Sequence, residues 1–235
     1  MIARYGILII LYWHVFELRG GSIGNTTFAP VAWSMFFYFA FMTLRLRNIA
    51  REIMTDVQTG RVELLLSKPV SYIWHKLWWQ IGSGLYSFII MTTAGSLALF
   101  ATIGIPSSMT AAVFLPTLAL SFVGCCALSL VLYSIVGLLA FWIEDATPVF
   151  WMIDKSIMIL GGSYLPIALF PPFMYEISIY SPFGASQLIT HTLLDNWKND
   201  WPKLIGIQMI WIVITSLAVW ALFSKAQKNI TINGG

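Results

Sequence analysis

The chain has 235 residues, of which 58% are hydrophobic and 10% are charged, and its mean hydropathy is +0.79. Soluble domains carry roughly 25% charged residues, so this composition excludes a protein that is exposed to water on all sides. The formal charge is +3, but six of the thirteen lysines and arginines gather in one stretch, which indicates membrane orientation rather than nucleic-acid binding.

Four uncharged runs are long enough to cross a bilayer as helices: they have 25, 67, 20 and 21 residues. A crossing takes ~20 residues, and Gly104 and Pro106 divide the longest run into two spans. We therefore predict an all-α, polytopic membrane protein with six transmembrane helices in a single domain, residues 1–235. The predicted spans are 1–16, 27–44, 77–105, 111–142, 148–169 and 204–224.

The loop between spans two and three, residues 45–76, holds six of the thirteen lysines and arginines. The positive-inside rule places this loop in the cytoplasm, and an even number of crossings then places both termini there too. An apolar cluster with interspersed charges predicts a short helix inside the loop, either lying on the membrane or docking a soluble protein. Its residues are Thr59, Gly60, Arg61, Val62, Glu63, Leu64, Leu65, Leu66, Ser67, Lys68 and Pro69.

From Gly161 onward, the sequence mixes apolar residues with glycines and prolines. Helices broken at membrane depth persist only where protein or a water-filled cavity covers the freed backbone groups. We expect short re-entrant helices on the outer side, over residues 164–195. The predicted gating residues are Gly161, Gly162, Pro166, Pro171, Pro172, Pro182 and Phe183.

Two pairs of residues are candidates for a substrate pathway. Asp154 and Lys155 are charges flanked by the apolar residues of span five, and ionisable groups within a membrane are functional candidates. They also lie near the cytoplasmic interface, where both side chains can reach water or pair with a neighbouring helix. Trp33 and Phe37 of span two offer aromatic faces to flat or cationic substrates, although helix packing is the commoner role of such rings.

The motifs of nucleotide binding and catalysis are absent from the sequence. It contains no G-x-x-x-x-G-K-[ST] phosphate loop, so any ATP chemistry must come from a partner. The three histidines lack the spacing of metal ligands, and no G-x-S-x-G elbow occurs. We expect no catalytic residue, no metal site and no cofactor bound by this chain.

Three segments resemble the permease subunits of ATP-binding-cassette transporters of the type-2 exporter class, especially bacterial members for viologen or multidrug export. They are REIMTDVQTGRVELLLSKPVSYIWHKL in the loop, FWIEDATPVFWMIDKSIMILGGSYLPIALFPPF, and SIYSPFGA. Members of that class usually begin with an amphipathic connecting helix before span one. Nothing precedes Met1 in this sequence, so either the start is truncated or the connecting helix has been lost.

The resemblance implies roles for two segments. Residues 59–69 would be the coupling helix, which sits in a groove of the ATPase, and residues 164–194 would cap the translocation path. The partners would be a pair of ATPase subunits holding ATP and Mg, a second permease copy or a sister permease, and the lipid of the bacterial plasma membrane. Drug, lipid, peptide and polysaccharide all stay open as substrates.

An ion-gradient-driven carrier is the alternative function. Such carriers usually show internal repeats and broken helices in both halves of the chain. This sequence shows no repeat, and its broken region occurs once. A membrane-embedded enzyme is a third possibility that lacks a catalytic constellation.

Overall fold

The structure, a computed structural model, describes residues 2–24, 26–62, 71–110 and 112–233. Within these ranges the chain forms a helical bundle with one small antiparallel hairpin, Ser22–Ile23 with Thr26–Thr27. The helices are α1 (Ile2–Leu18), α2 (Phe28–Met42), α3 (Asn48–Gln58), α4 (Tyr72–Thr102), α5 (Phe114–Leu138), α6 (Thr147–Leu160), α7 (Pro172–Tyr180), α8 (Pro182–Ala185) and α9 (Trp197–Asn233). Short 3₁₀ turns lie at Ser107–Thr110, Leu139–Phe141, Ile167–Leu169 and Leu188–Leu193.

Three helices in the described ranges are long and apolar enough to cross a membrane. They are α4, α5 with its 3₁₀ extension to Phe141, and the stretch Trp197–Gln227 of α9. These three confirm a multi-pass membrane protein. The helices α1, α2 and α6 have 17, 15 and 14 residues and are shorter than ~20 residues, so the count of six crossings stays a prediction.

Helix α2 is buried almost completely inside the bundle. Residues 31–41 are buried except Phe37, and Val31, Met35 and Phe36 are each at most 1% exposed. A helix that is apolar on all sides belongs in the interior. Its rings pack on one another, with the Trp33 and Phe36 centroids 5.7 Å apart.

Helices α5 and α9 pack closely along their length. Gly124 of α5 lies directly against the side chain of Gln208 of α9, so that a Cβ at position 124 would overlap the Gln208 amide. Near the start of both helices' shared interface, Trp197 Nε1 of α9 donates a hydrogen bond of 2.9 Å to Thr117 Oγ1 of α5. The missing Cβ at Gly124 therefore lets a polar side chain enter the interface.

Helix α6 ends nine residues before the predicted end of span five, 148–169. The reason is local: Gly162 has φ +85, a left-handed conformation that ends helices and favours glycine. At the other end, Pro148 occupies the first turn, and Thr147 N donates to Asp145 Oδ1 at 2.9 Å. Hydrogen bonds from the Thr147 side chain and backbone lower the pKa of Asp145. With 14 residues at 1.5 Å each, α6 is about 21 Å long.

Residues 43–62 and the start of α4 lie together at one end of the bundle, which we call the basic end. The chain reverses there between α2 and α3, and Arg45 adopts φ 54 in this turn. Gln80 Nε2 donates to the Arg45 carbonyl at 3.0 Å, which ties the turn to α4. Gly84 of α4 sits against the Leu44 backbone, where no Cβ fits.

Candidate functional site at the basic end

Helix α3 is amphipathic and lies at the basic end. Ile49, Ala50 and Ile53 are 0% exposed and Met54 is 6% exposed. Their spacing places them on one face of the helix, whereas Thr55 on the opposite face is exposed. The helix therefore has one face for the bundle and another that is free for contacts outside it.

The apolar face of α3 packs on α5. A Cβ at Gly137 of α5 would lie 2.7 Å from Ile53 Cβ and 3.0 Å from the Ala50 carbonyl oxygen. Only glycine fits this crossing without movement of its neighbours. The contact brings the backbones of α3 and α5 close together.

A charged cluster joins α3 to α4. Lys76 Nζ of α4 lies 2.7 Å from Asp56 Oδ2 and 3.4 Å from Glu52 Oε2. Tyr72 OH donates a hydrogen bond of 3.0 Å to the same Asp56 oxygen. The Lys76 and Asp56 side chains are 12% and 6% exposed, so little water competes with this pair.

A second set of contacts joins α3 to α6. Arg47, directly before α3, places Nη1 3.4 Å from Asp154 Oδ2, and Asp154 is 0% exposed. Tyr133 OH donates to the other Asp154 oxygen at 2.9 Å. One turn further along, the Arg51 guanidinium lies over the Phe150 ring, 4.8 Å from its centroid.

A groove of about 690 Å³ opens between α3 and the start of α4, and we call it the basic-end groove. Its lining carries three basic and two acidic side chains, together with a histidine and an exposed tryptophan. The lining residues are Asn48, Arg51, Glu52, Thr55, Asp56, Arg61, His75, Lys76 and Trp79. This mixed lining is suited to a polar protein surface rather than to an apolar ligand.

The predicted coupling helix is described in part. Thr59 N and Oγ1 donate to the Thr55 carbonyl, and Gly60 with φ +70 ends α3. Arg61 lines the basic-end groove and Val62 is buried. The other predicted residues lie outside the described residues: Glu63, Leu64, Leu65, Leu66, Ser67, Lys68 and Pro69.

The predicted gating residues lie where the chain changes direction. Gly161 and Gly162 end α6, and Pro166 precedes the 3₁₀ turn at Ile167–Leu169. Pro171 and Pro172 stand at the start of α7. Pro182 opens α8, and Phe183 packs partly buried against the core.

We call residues 161–193 the broken segment. Its last part, residues 184–193, is buried in the bundle, whereas most of α7 is exposed. Ser34 Oγ of α2 donates to the Thr190 carbonyl at 2.9 Å, and Gln208 Nε2 of α9 donates to the Ala185 carbonyl at 2.8 Å. The 3₁₀ turn Leu188–Leu193 is buried throughout. Protein therefore covers the backbone of residues 184–193.

Of the four predicted pathway residues, Trp33 and Phe37 lie together, with their ring centroids 6.1 Å apart. Trp33 Nε1 donates to the Gly104 carbonyl at 2.9 Å, and the Phe37 ring stacks on Phe114 at 6.5 Å. Lys155 lies over the Trp151 ring, 5.1 Å from its centroid. Its neighbour Asp154 instead pairs with Arg47. A pathway role for the four stays a prediction.

Sequence reasoning missed the residues that hold α3 in place, namely Arg47, Arg51, Lys76, Asp56 and Tyr133. One signal was available, because residues 48–58 alternate apolar and polar positions with helical periodicity. The pairing of Arg47 with Asp154 spans 107 positions and has no local signal.

Residues 4–234 match the model of a protein family described as ABC-2 family transporter protein. The match covers nearly the whole chain, and the three long apolar helices agree with a membrane domain. The chain belongs to this family of membrane components of transporters. No curated protein matches it.

Proposed function

We propose that this chain is the permease subunit of an ATP-binding-cassette exporter, driven by a separate pair of ATPase subunits. The observation that supports this best is α3, which is held against α4, α5 and α6 while the basic-end groove stays open beside it. A helix fixed to three others can pass on a displacement that a soluble partner applies. Membership of the ABC-2 family supports the choice of an ATPase as that partner.

The orientation follows from the distribution of charge. We place the basic end and both termini in the cytoplasm, because the loop 45–76 concentrates positive charge. The broken segment then lies toward the outer half of a bacterial plasma membrane. A second permease copy or a sister permease completes the transporter, and residues 59–69 act as the coupling helix in the ATPase groove.

Coupling requires two states of the permease that the ATPase distinguishes. ATP and Mg bind the ATPase pair and close it, and the closed pair favours one position of α3 and the coupling helix. The equilibrium of the permease then shifts between inward and outward access. The size of this shift is set by the difference in the ATPase's affinity for the two permease states. The chain itself supplies the route and the docking surface, and it carries out no hydrolysis.

Copurification with the ATPase encoded beside this chain tests the proposal. Reversing one groove charge, Arg61→Glu, is expected to weaken the complex at least about tenfold, or about 1.4 kcal/mol. Glu63→Arg combined with Leu65→Asp tests the coupling helix in the same assay. Lys198→Glu is the matched control, since it reverses an exposed charge near the start of α9, outside the loop 45–76.

Two outcomes would contradict the proposal. Unchanged complex formation by the groove and loop variants would remove the basic end from the docking role. Failure of the wild-type chain to bind or stimulate the ATPase would reject the exporter, and transport that stops with the ion gradient but survives ATP depletion would favour the carrier.

A further inference from the structure

Arg47, directly before α3, and Arg51 within it contact two residues of α6 in opposite chain order. Arg47 and Arg51 are four residues apart, and so are their contacts Asp154 and Phe150. Positions four apart lie on the same side of a helix. The two contacts therefore form one line along which α3 is attached to α6.

The Arg47–Asp154 contact is an ion pair whose strength depends on the position of its two side chains. Asp154 is fully buried, and the described structure gives its carboxylate two partners, Arg47 at 3.4 Å and Tyr133 OH at 2.9 Å. A buried carboxylate that loses its cation is strongly destabilised. Movement of Arg47 must therefore carry Asp154 and α6 with it, or break the pair.

The contact of α3 with α5 has a different character. At Gly137 it consists of Ala50 and Ile53 packed against the α5 backbone, so it is an apolar contact at that point. Apolar contact is non-directional, so it permits sliding that a buried ion pair does not. Of the two charged attachments of α3, the Lys76–Asp56 pair leads to α4, and the Arg47–Asp154 pair leads to α6 and toward the broken segment.

Helix α6 is attached in turn to the broken segment. Ser178 Oγ of α7 donates to the Leu160 carbonyl at 2.7 Å, at the last residue of α6. A Cβ at Gly161 would lie 2.5 Å from Gln187 Cγ, so the end of α6 touches the segment a second time. A cavity of about 10 Å³ lies between Arg47, Tyr133 and Gln187, large enough for about one water molecule.

We propose that Arg47, Asp154 and Tyr133, with Arg51 on Phe150, form a latch that transmits displacement of α3 through α6 to the broken segment. The inference rests on the proposed function, because an ATPase must move α3. These are positioning residues: they act through α6 and contact neither nucleotide nor substrate. Asp154 then serves coupling rather than a substrate pathway.

The test compares removal of one charge with removal of both. Arg47→Met leaves Asp154 buried with Tyr133 alone, and the midpoint of thermal unfolding is expected to fall by roughly 5–15 °C. The double variant Arg47→Met with Asp154→Leu removes both charges and is expected to return to within about 3 °C of wild type. Arg47→Lys keeps the charge and is expected to keep function.

Coupling is measured on the complex with the neighbouring ATPase. One readout is the stimulation of ATPase activity by the permease, and the other is amide hydrogen exchange over residues 172–185 with and without ATP and vanadate. The double variant is expected to bind the ATPase as wild type does. Its stimulation of ATPase activity and its nucleotide-dependent change in hydrogen exchange are each expected to fall at least about fivefold. That factor corresponds to about 1 kcal/mol of coupling.

Lys225→Met is the matched control, because Lys225 is also a cation and its ring contact is with Trp142, 5.9 Å away, outside α3 and α6. This variant should keep both readouts. A stable double variant that keeps the nucleotide response overturns the latch and leaves the proposed function standing. A wild-type chain that binds no ATPase overturns both.

Discussion

Helix α3 and the broken segment are both attached to the bundle, but by different forces. Charged side chains attach α3, through Lys76 to Asp56 and through Arg47 to Asp154. Neutral hydrogen bonds attach the broken segment, from Ser34 to the Thr190 carbonyl and from Gln208 to the Ala185 carbonyl.

The difference indicates which region can respond to a soluble partner. Exposed charges beside these buried pairs, such as Arg61 of the basic-end groove, can exchange water for a partner's charges. Neutral hydrogen bonds in an apolar interior have no such replacement, so breaking them leaves unpaired backbone groups. The broken segment should therefore move only together with the helices that it contacts.

Outside the Arg47–Asp154 pair, the largest effect is expected from Gly184→Ala in α8, which tests the tight packing of the broken segment. A Cβ there would overlap the Ser178 backbone carbonyl, which cannot yield as a flexible side chain would. We expect a loss of about 3 kcal/mol, or a fall of roughly 6–12 °C in the unfolding midpoint in detergent. Gly206→Ala is the control, since nothing lies within 4 Å of a Cβ at that position.

An intermediate effect is expected from Lys76→Met, which tests the charged attachment of α3. The change leaves Asp56, 6% exposed, with Tyr72 as its remaining partner in the cluster. We expect a loss of about 2 kcal/mol in the free energy of unfolding. His14→Ala removes an exposed pair with Glu17 and should change stability by less than about 0.5 kcal/mol.

An equal effect of Lys76→Met and His14→Ala would contradict the idea that buried charges fix α3. The comparison is made by thermal unfolding at one ionic strength, because exposed pairs are screened by salt.

The smallest effect is expected from Gln208→Met, which tests a neutral attachment of the broken segment. The methionine keeps the shape of the side chain and removes the donor to the Ala185 carbonyl. Hydrogen bonds between membrane helices are worth about 1 kcal/mol, so we expect a loss of that size. Thr215→Val should cost less, because its hydroxyl bonds only to carbonyls of its own helix.

Much of the fold could be predicted from the sequence. Long uncharged runs predicted long apolar helices, and α4, α5 and α9 contain such helices, because length and hydropathy alone decide this feature. The glycines at 161 and 162 also marked the end of α6, although the predicted span continued to Leu169. Apolar composition alone cannot show where a helix of this kind stops.

The site was harder to predict, because it depends on contacts between distant residues. Asp154 was recognisable as a buried charge, but its partner Arg47 follows from the rotation of α6, which hydropathy does not fix. The apolar pattern of the loop 45–76 predicted its helix at residues 59–69. That prediction missed α3, eleven residues whose apolar face is visible in the sequence. Family membership places a permease in the membrane without naming these contacts.

The shortness of α6 has a consequence for the surrounding lipid. Its 14 residues span about 21 Å, whereas the hydrocarbon core is ~30 Å thick. As the fifth predicted crossing, α6 would need a thinner bilayer beside it, or the broken segment would complete the crossing. Hydrophobic mismatch costs fractions of a kcal/mol per Å, so this prediction implies that the thickness of the host membrane biases the position of the broken segment.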